Sequence, residues 1–543
     1  MNADEVELTT IPQRLEYDMP AKWMTIQPPN IAGGVPSGNF NAETMILLTD
    51  GSVLIHNAED PISPFSTRKE WLRYSPDAKK GYAAGKWNPN TIAMKNARQF
   101  FASGILMDGR VFAIGGEYSD AGPDCSLGEI FDPLTNIWSP LNKPTAFDFI
   151  QGDIAACILH DGRVLMGAIS EQPTAQSSAS SNTAIWDPIS DKWTQAGINF
   201  GATADSKDGI PTDEETWTLL ADGSVLAVEV SPTKNGVNAA ERYLPSTDQW
   251  VKAGNTPQPL VIASINGTSV KEIGPAILLP DGRLFAIGAT GNTALYDPNI
   301  GEWVLGPRFP EDTSASPLQT LLTSIDAPAV LQPSGKVICV GGATRRESSP
   351  TGEISYWSNP TTFFEFDSKT FNPASPGTLP ELGLQPPADS NRSDTWEARF
   401  LLLPTGEVLF SAQSNAIYLY TPDPADKPDP TWKPVIDAFP SVMVPGRAYQ
   451  ISGTQFNGLS QACSYGDDAQ MSTNYPIVQM TRSMDGSVVY LRSFNFSTMG
   501  VATGSAVMST DVEVPLSITP GQWCMAVIAN GIASDPKTVT VAL

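Results

Sequence analysis

The sequence predicts an all-β chain of 543 residues, a seven-bladed β-propeller followed by a smaller C-terminal β-sandwich. Three observations predict this fold: a repeated hairpin signature, an aromatic signature after each hairpin, and the scarcity of helical patterning. Proline and glycine are abundant, with 47 and 44 copies, which suits many short strands joined by turns. An apolar share of 41% and a charged share of 17% are typical of a folded, sheet-rich protein.

The hairpin signature is clearest at residues 104–116, where two apolar runs flank Asp108-Gly109 and a glycine pair ends the second run. Asp-Gly favours the positive φ angles of a two-residue type I′ turn, which predicts two antiparallel strands. The signature recurs roughly every 50 to 70 residues, the spacing of propeller blades. Its seven turn dipeptides are Asp50-Gly51, Asp108-Gly109, Asp161-Gly162, Asp222-Gly223, Asp281-Gly282, Ser334-Gly335 and Thr405-Gly406.

The aromatic signature is an aromatic residue, often followed by Asp-Pro, and then a tryptophan a few residues later. Tyr296-Asp297-Pro298 to Trp303 is the cleanest copy. A four-stranded sheet cannot bury both faces alone, so we expect seven such units to stack radially, with these aromatic residues packed inside the ring. The other copies run from Tyr74 to Trp87, Phe131 to Trp138, Trp186 to Trp193, Tyr243 to Trp250, Phe366 to Phe371 and Tyr420 to Trp432.

The chain divides into three predicted parts. Residues 1–38 are polar around one strand-like segment, 22–27, which we expect to pair with the last blade and close the ring. Residues 39–432 carry the seven blades. Residues 433–543 lose the repeat and show short alternating strands, the pattern and size of an immunoglobulin-like sandwich.

Charge and hydropathy exclude some partners. The net charge of −25 speaks against a nucleic-acid backbone or an anionic membrane, and no apolar run is long enough to predict a membrane span. The first residues lack the pattern of a signal peptide, so the chain as numbered is expected in the cytoplasm, or outside the cell if a signal peptide was removed. Of the five cysteines, Cys157 and Cys339 are predicted to be buried thiols, and pairing of Cys463 with Cys524 stays open.

Several segments resemble the galactose oxidase and glyoxal oxidase family, whose blades carry kelch repeats. They are Leu401-Leu402-Leu403-Pro404-Thr405-Gly406-Glu407-Val408 and residues 453–461, 465–468 and 473–476. The resemblance covers nearly the whole chain. It implies the oxidation of a primary alcohol or aldehyde at a copper ion, with a tyrosine radical cross-linked to a cysteine. It also implies that this tyrosine, a second tyrosine, the histidine directly after it and a C-terminal histidine hold the copper.

None of these implied groups is retained. The aligned positions are Thr44 for the cysteine, Phe100 for the radical tyrosine, Trp396 and Glu397 for the tyrosine–histidine pair, and Asn495 or Phe496 for the C-terminal histidine. The chain has only two histidines, His56 and His160, which we predict to be surface or turn residues. Copper(II) sites of this kind depend on imidazole. We therefore expect no copper–radical chemistry, no metal and no cofactor.

The residues before each turn are predicted to project into a funnel at one end of the propeller axis, the usual ligand site of this fold. In blade order they are Glu43, Arg98 and Gln99, Asp153, Glu214 and Glu215, Lys271 and Glu272, Asp326, and Trp396 with Glu397. The predicted substrate contacts are Glu43, Arg98, Gln99, Phe100, Asp153, Trp217, Glu272, Asp326, Trp396 and Arg399, and the predicted catalytic residues are Glu397 and Glu215. Carboxylates accept hydrogen bonds from sugar hydroxyls, and tryptophan can stack on a sugar ring.

Three functions remain open at this point. The first is a copper-free relative that binds a carbohydrate or other small polar ligand, although an amine or a calcium ion would also suit such acids. The second is a cofactor-independent hydrolase, lyase or cyclase in which funnel carboxylates act as acid and base. Glu397 is its first candidate because it replaces a copper ligand. The third is a scaffold that binds a protein partner.

Overall fold

The computed structural model describes residues 21–27, 40–57, 69–120, 122–125, 127–144, 152–167, 183–199, 212, 214–232, 236–348, 352, 354–387, 393–465 and 471–543. Within these ranges the chain is built from β-strands, with 3-10 helices at Thr395–Glu397 and Pro430–Trp432. None of the described residues forms a helix long and apolar enough to span a membrane. The predicted all-β fold is confirmed.

Seven sheets form the blades of a propeller. The first strands of blades two to seven contact one another in succession, blade seven contacts blade one, and blades one and two meet through their outer strands. Blade one is formed by β2 (Ala42–Leu47), β3 (Val53–Asn57), β4 (Glu70–Asp77) and β5 (Gly81–Trp87), with β6 (Ile92–Ala93) beside β4. Blade two is formed by β7 (Ala102–Ile105), β8 (Val111–Ile114), β11 (Gly128–Asp132) and β12 (Ile137–Pro140). Blade three is formed by β13 (Ala156–Ile158), β14 (Val164–Gly167), β15 (Thr183–Asp187) and β16 (Lys192–Gln195).

In the later blades the strands also follow one another in chain order, except for one strand in blade six and one in blade seven. Blades four and five are β17 (Thr216–Leu219), β18 (Val225–Pro232), β19 (Asn238–Leu244), β20 (Gln249–Asn255); and β23 (Ala276–Leu278), β24 (Leu284–Ile287), β25 (Thr293–Asp297), β26 (Glu302–Leu305). Blades six and seven are β38 (Cys463–Tyr465), β27 (Pro328–Leu331), β28 (Lys336–Gly341), β31 (Thr362–Asp367); and β32 (Ala398–Leu402), β33 (Val408–Ala412), β34 (Ile417–Thr421), β1 (Lys22–Ile26).

The seven predicted turns join the first two strands of the blades, but their type differs from the prediction. In the turn at Asp108-Gly109, only the glycine has a positive φ, 82°. Gly109 N–H donates to Leu106 O, and Leu106 N–H donates to Arg110 O. This is the pattern of a three-residue loop, a type I turn followed by a bulged glycine. The predicted type I′ turn is therefore wrong, because only one residue of the loop has to adopt a left-handed conformation.

In blades one to five the aromatic signatures are cross-strand pairs between the third and fourth strands. In blade six Phe371 lies beyond the end of β31, and its ring meets that of Phe366 edge to face with centroids 5.5 Å apart. Tyr296 faces Trp303 with ring centroids 5.0 Å apart, and Tyr74 faces Trp87 at 4.8 Å. Blade seven departs from the predicted pairing of Tyr420 with Trp432. Tyr420 instead faces Trp23 on β1, with ring centroids 4.9 Å apart. The N-terminal strand thus completes the last blade in antiparallel register, from Lys22 opposite Thr421 to Ile26 opposite Ile417.

The strand β38 enters the propeller from the C-terminal part of the chain and pairs with β27 of blade six. Leu331 N–H donates to Ala462 O, and Leu219 N–H in blade four donates to the side chain of Gln461. Ser464 Oγ accepts from Ala276 N–H in blade five at 3.3 Å. Because one short segment reaches the first strands of three blades, it lies at the axis.

The C-terminal strands form a separate sheet around its own apolar core. Its strands are β35 (Val435–Ala438), β36 (Val442–Met443), β37 (Ala448–Thr454), β39 (Ile477–Arg482), β40 (Val488–Phe494), β41 (Met508–Glu513), β42 (Gly521–Ala529), β43 (Ile532–Ala533) and β44 (Lys537–Val541). The immunoglobulin-like class and the boundaries at 38 and 432 stay predictions. Cys463 and Cys524 are both free thiols, so no disulfide joins them.

Short hairpins project beside the blades at the end opposite the seven turns. They are β9 (Glu117–Ser119) with β10 (Gly122–Asp124), β21 (Ile262–Ile265) with β22 (Thr268–Glu272), and β29 (Thr344–Ser348) with β30 (Ile354–Ser358). Residues of the last two hairpins pack together around Ile325 in a small apolar cluster. These hairpins therefore lie at the same end of the axis as the predicted funnel residues, which are near the starts of the first strands.

Candidate functional site

A buried polar network lies at the start of blade one. The carboxyl of Glu43 is fully buried and contacts His56 Nδ1 at 2.7 Å through one oxygen. Its other oxygen accepts from Gln99 Nε2 at 2.9 Å and lies 3.6 Å from a guanidinium nitrogen of Arg399. Burial raises the pKa of Glu43, but the hydrogen bond and attraction of His56, and then the charge of Arg399, outweigh burial and hold that pKa below its ordinary value.

His56 is therefore not the surface residue that the sequence predicts. It is fully buried in β3, and its ring packs against Trp71 and Phe101 with centroids 4.9 and 5.3 Å away. The Glu43 carboxylate offsets the free-energy cost of burying the imidazole, because it provides a charged hydrogen-bond partner for the ring. His160 is exposed beside its turn, as predicted.

Arg399 joins this network to the C-terminal segment. Its guanidinium is fully buried and lies 3.7 Å from the ring centroid of Tyr465, a cation–π contact. Tyr465 Oη lies 3.0 Å from a carboxyl oxygen of Asp326 and 2.6 Å from the carbonyl oxygen of Trp396. Burial raises the pKa of Asp326 to about 6, although the charge of Arg399 and the hydrogen bond of Tyr465 oppose this effect.

Trp396 and Glu397 lie on the 3-10 turn that begins blade seven. Asp394 caps this turn, and its backbone N–H donates to Glu397 Oε2 at 3.0 Å. Asn359 Nδ2 donates to Asp394 Oδ1 at 2.8 Å, and Thr395 Oγ1 donates to Ile325 O at 2.6 Å. The two residues directly before Trp396 thus tie the turn to residues that border the strands of blade six.

Three carboxyl groups meet around this turn. Burial raises the pKa of Glu397 to about 7, and the negative charges of Asp394 and Glu347 add to the effect. Burial also raises the pKa values of Asp394 and Glu347, whose side chains share a hydrogen bond. Acids with raised pKa values keep their protons to a higher pH than ordinary carboxyl groups do, and a protonated carboxyl can donate as well as accept hydrogen bonds.

Aromatic rings surround the same turn. Phe100 and Trp396 meet edge to face with centroids 6.0 Å apart, and Trp357 on β30 lies 5.8 Å from Trp396. Tyr118 on β9 contacts Phe100 at 6.0 Å and is 44% exposed, whereas the other three rings are partly buried. We call Tyr118, Phe100, Trp396 and Trp357 the aromatic arc. It runs from blade two past blade seven to the hairpin of blade six.

Two predicted site residues lie inside blade four instead. Glu215 is fully buried and accepts from Trp217 Nε1 at 2.8 Å and from Asn199 Nδ2 at 3.2 Å. Trp217 is 3% exposed and packs on Trp250 with ring centroids 5.1 Å apart. Burial and the charge of Glu215 raise the pKa of Glu229 well above its ordinary value.

The remaining predicted residues are spread over several blades. Arg98 is fully buried in blade two, where its guanidinium pairs with Glu129 at 2.9 Å. Asp153 and Glu272 are partly buried in blades three and five. The structure thus brings together Glu43, Gln99, Arg399 and Asp326 in one buried network, and Phe100, Trp396 and Glu397 at its outer side.

The residues at the copper positions do not fit a copper–radical site. Phe100 has no phenol oxygen, and Glu397 supplies a carboxyl where imidazole is implied. Phe496 is buried and stacks on Tyr475 with ring centroids 6.2 Å apart, and Asn495 donates to Asp511. In the part of the chain that the structure describes, no three His, Cys, Asp or Glu side chains are grouped as metal ligands.

Sequence reasoning missed several residues of this region: Tyr465, Asp394, Glu347, Trp357 and Tyr118. Asp394 had a detectable signal, because Asp-x-x-Glu before an apolar run is a capping pattern. Trp357, Glu347 and Tyr118 lie on hairpins that interrupt the repeat, where strand order gives no register. Tyr465 comes from beyond the propeller, and no local pattern indicates that it returns to the axis.

The chain matches the family model of the kelch motif over residues 101–145, a range that contains all four strands of blade two. The kelch interpretation of the repeats is confirmed. Comparison with curated proteins gives no match for the chain.

Three solved structures illustrate the likeness of the fold. A fungal alcohol oxidase of the AA5 family, in complex with copper, is 14% identical with a TM-score of 0.47, covering 96% of this chain and 100% of that one. YjhT is 12% identical with a TM-score of 0.34, covering 60% of this chain and 97% of its own. The WD40 β-propeller domain of Doa1 is 11% identical with a TM-score of 0.38, covering 74% and 99%. At such identities these likenesses say nothing about what this chain binds.

Proposed function

We propose that this protein, a galactose oxidase-like kelch propeller, binds a carbohydrate at the aromatic arc without using copper. The observation that carries the proposal is the juxtaposition of partly exposed rings with carboxyl groups at one end of the propeller. A sugar presents apolar C–H faces and a rim of hydroxyls. The rings suit the faces, and the carboxyl groups suit the rim.

The rings offer surface that the fold does not fully cover. Phe100 and Trp396 meet edge to face and are only partly buried, so each stays partly accessible. Trp357 and the more exposed Tyr118 extend this surface in two directions. A surface of several adjoining rings can hold one sugar ring or neighbouring rings of an oligosaccharide.

The carboxyl groups provide orientation. Because the pKa of Glu397 lies at about 7, this group exchanges between donor and acceptor near neutral pH, and sugar hydroxyls can act as either. Asp394 and Glu347 flank it with raised pKa values of their own. Arg399, Gln99 and Glu43 lie beneath as a fully buried support rather than as exposed ligand contacts.

Binding measurements test the proposal directly. Isothermal titration of the purified protein with galactose, glucose and their α- and β-linked oligomers should find at least one sugar that binds. Trp396→Leu should weaken that sugar at least tenfold, which corresponds to about 1.4 kcal/mol. Trp303→Leu, at a partly buried tryptophan on the outer strand of blade five, should leave the affinity unchanged. Equal affinities in the two variants, or no sugar bound by the wild type, would contradict the proposal.

Metal analysis tests the absence of copper chemistry. After incubation with copper and removal of the excess, the protein should contain no stoichiometric copper, because Phe100 and Glu397 replace the oxygen and imidazole ligands that the family resemblance implies. One copper ion per chain, lost in a Glu397→Ala variant, would show that the site binds the metal after all.

A further inference from the structure

Tyr465 links the C-terminal segment to the turn that carries Trp396 and Glu397. It is 1% exposed, lies at the end of β38 and follows Trp396 by 69 residues. Its hydroxyl lies 2.6 Å from Trp396 O and 3.0 Å from Asp326 Oδ2. The phenol carries one proton, and both the Trp396 carbonyl, at the shorter distance, and the Asp326 carboxylate lie where they can accept it.

A second donor reaches the same carbonyl. Arg399 Nη1 lies 2.5 Å from Trp396 O and 2.9 Å from Ala398 O, and the guanidinium also lies against the Tyr465 ring. The Trp396 carbonyl belongs to the peptide group that joins Trp396 to Glu397. Two donors on this carbonyl fix the plane of that peptide, and with it the directions in which the two side chains leave the backbone.

We propose that Tyr465 is a positioning residue for the candidate ligand site, so that a side chain from the segment that follows blade seven in the sequence sets the orientation of Trp396 and Glu397. The inference rests on the proposed function for its ligand. It differs from a simple tether between two parts of the chain, because a tether would affect stability without changing the environment of Glu397.

The chain offers a matched control for this distinction. Tyr475 is also 1% exposed, lies on the same C-terminal segment and donates its hydroxyl to a propeller carbonyl, Leu47 O, at 2.5 Å. Its partner lies in β2 of blade one. Tyr465→Phe and Tyr475→Phe each remove one buried hydroxyl that bonds to the propeller, but only Tyr465 contacts the Trp396 carbonyl.

The first readout needs no ligand. The pH dependence of tryptophan fluorescence in the wild type, minus that of Glu397→Gln, reports the titration of Glu397 beside Trp396. In Tyr465→Phe the turn should relax toward solvent, so the midpoint should move down toward the ordinary range of a glutamic acid. In Tyr475→Phe it should stay in place. The second readout is the affinity for the sugar identified by titration, which should fall about tenfold only in Tyr465→Phe, the loss of one hydrogen bond of about 1.4 kcal/mol.

Each outcome separates the two proposals. An unmoved midpoint and an unchanged affinity in Tyr465→Phe would overturn the positioning of the turn while leaving sugar binding intact. A midpoint that moves in a protein that binds no sugar would support the positioning and contradict the proposed function. Equal changes in both tyrosine variants would indicate a general tether and overturn the inference.

Two further variants allow the test even if Tyr465→Phe does not fold, because both keep a hydrogen-bond donor at position 465. Incorporation of 4-aminophenylalanine at position 465 keeps an N–H donor and should restore the wild-type midpoint. If Tyr465→Phe does not fold, 3-fluorotyrosine at that position keeps the hydroxyl but makes it a stronger donor. The Glu397 midpoint should then move, and an unmoved midpoint would overturn the inference.

Discussion

Glu397 occupies the position where the family resemblance implies a histidine, and its surroundings suit a protonated carboxyl. Burial removes water from the group, and the neighbouring Asp394 and Glu347 add negative charge, so the pKa rises to about 7. The backbone N–H of Asp394 opposes this shift only in part. A catalytic acid with such a pKa would operate near neutral pH, and this use of Glu397 stays a prediction.

The raised pKa makes the stability of the protein depend on pH. The ordinary pKa of the group is 4.5, so below that value both the folded and the unfolded states keep the proton. Between 4.5 and about 7 the unfolded state loses the proton first, so stability falls as the pH rises, by up to about 3 kcal/mol above the folded pKa. Glu397→Gln removes this penalty. We expect the variant to be more stable than the wild type at pH 8 and nearly equal at pH 4.

Thermal and denaturant unfolding at pH 4, 6 and 8 would measure this difference. Glu302→Gln, on the outer strand of blade five, is a suitable control because Glu302 is exposed. If the wild type and Glu397→Gln lost stability in parallel from pH 4 to pH 8, Glu397 would have an ordinary pKa in the folded state, contrary to this prediction.

At the residue scale, the sequence predicts at which end of the propeller a residue lies better than it predicts which side chains contact one another there. Counting back from the turns correctly brings Phe100, Trp396 and Glu397 to the same end of the axis. It does not distinguish these side chains from Trp217, which packs inside blade four. The count fixes a position along a strand, whereas the direction of a side chain beyond the strand's first residue depends on loop conformation and on neighbouring blades.

At the element scale, the turns show what a local pattern can and cannot predict. Asp-Gly correctly marks where the chain reverses, because glycine adopts a positive φ without strain. It does not determine the loop length. In the turn at Asp108, the Asp108 carboxyl accepts from Arg110 N–H at 3.0 Å and so stabilises a loop with one left-handed residue. The dipeptide alone is compatible with both turn types.

Two strands show the limit of reading blades in sequence order. β38 joins blade six and β1 joins blade seven, although each lies far from its partner in the chain. The pattern of Trp23 indicates a blade-ending strand, since Trp23 is followed by alternating residues like other outer strands. β38 has only three residues and no comparable signature, and its place follows from tertiary contacts that a periodicity does not encode.

At the scale of the whole molecule, β1 joins the end of the ring to its beginning. Blade seven contacts blade one through β2, and β1 adds the outermost strand of blade seven from the residues that precede blade one. A propeller with its last blade completed by the N-terminus cannot lose one terminal blade without exposing the edge of another. We therefore expect closure to make the first and last blades one cooperative unit.

Trp23 is the residue on which this closure can be tested. Its ring packs against Phe363, Phe410 and Tyr420 with centroids 4.9 to 6.1 Å away, and its Nε1 donates to Leu384 O at 2.9 Å. Trp23→Ala removes this packing. Because the ring is partly exposed, we expect the free energy of unfolding to fall by about 2 to 4 kcal/mol, near the low end for buried aromatic residues.

Denaturant unfolding would measure this loss of stability, and amide hydrogen exchange would show which strands it affects. Protection should fall in β34 and in β2 together, because both belong to the closed ring, whereas Trp432→Ala at the partly buried Trp432 should leave exchange in β2 unchanged. If Trp23→Ala had the same midpoint denaturant concentration as the wild type, the contact between blades seven and one alone would be enough to close the ring.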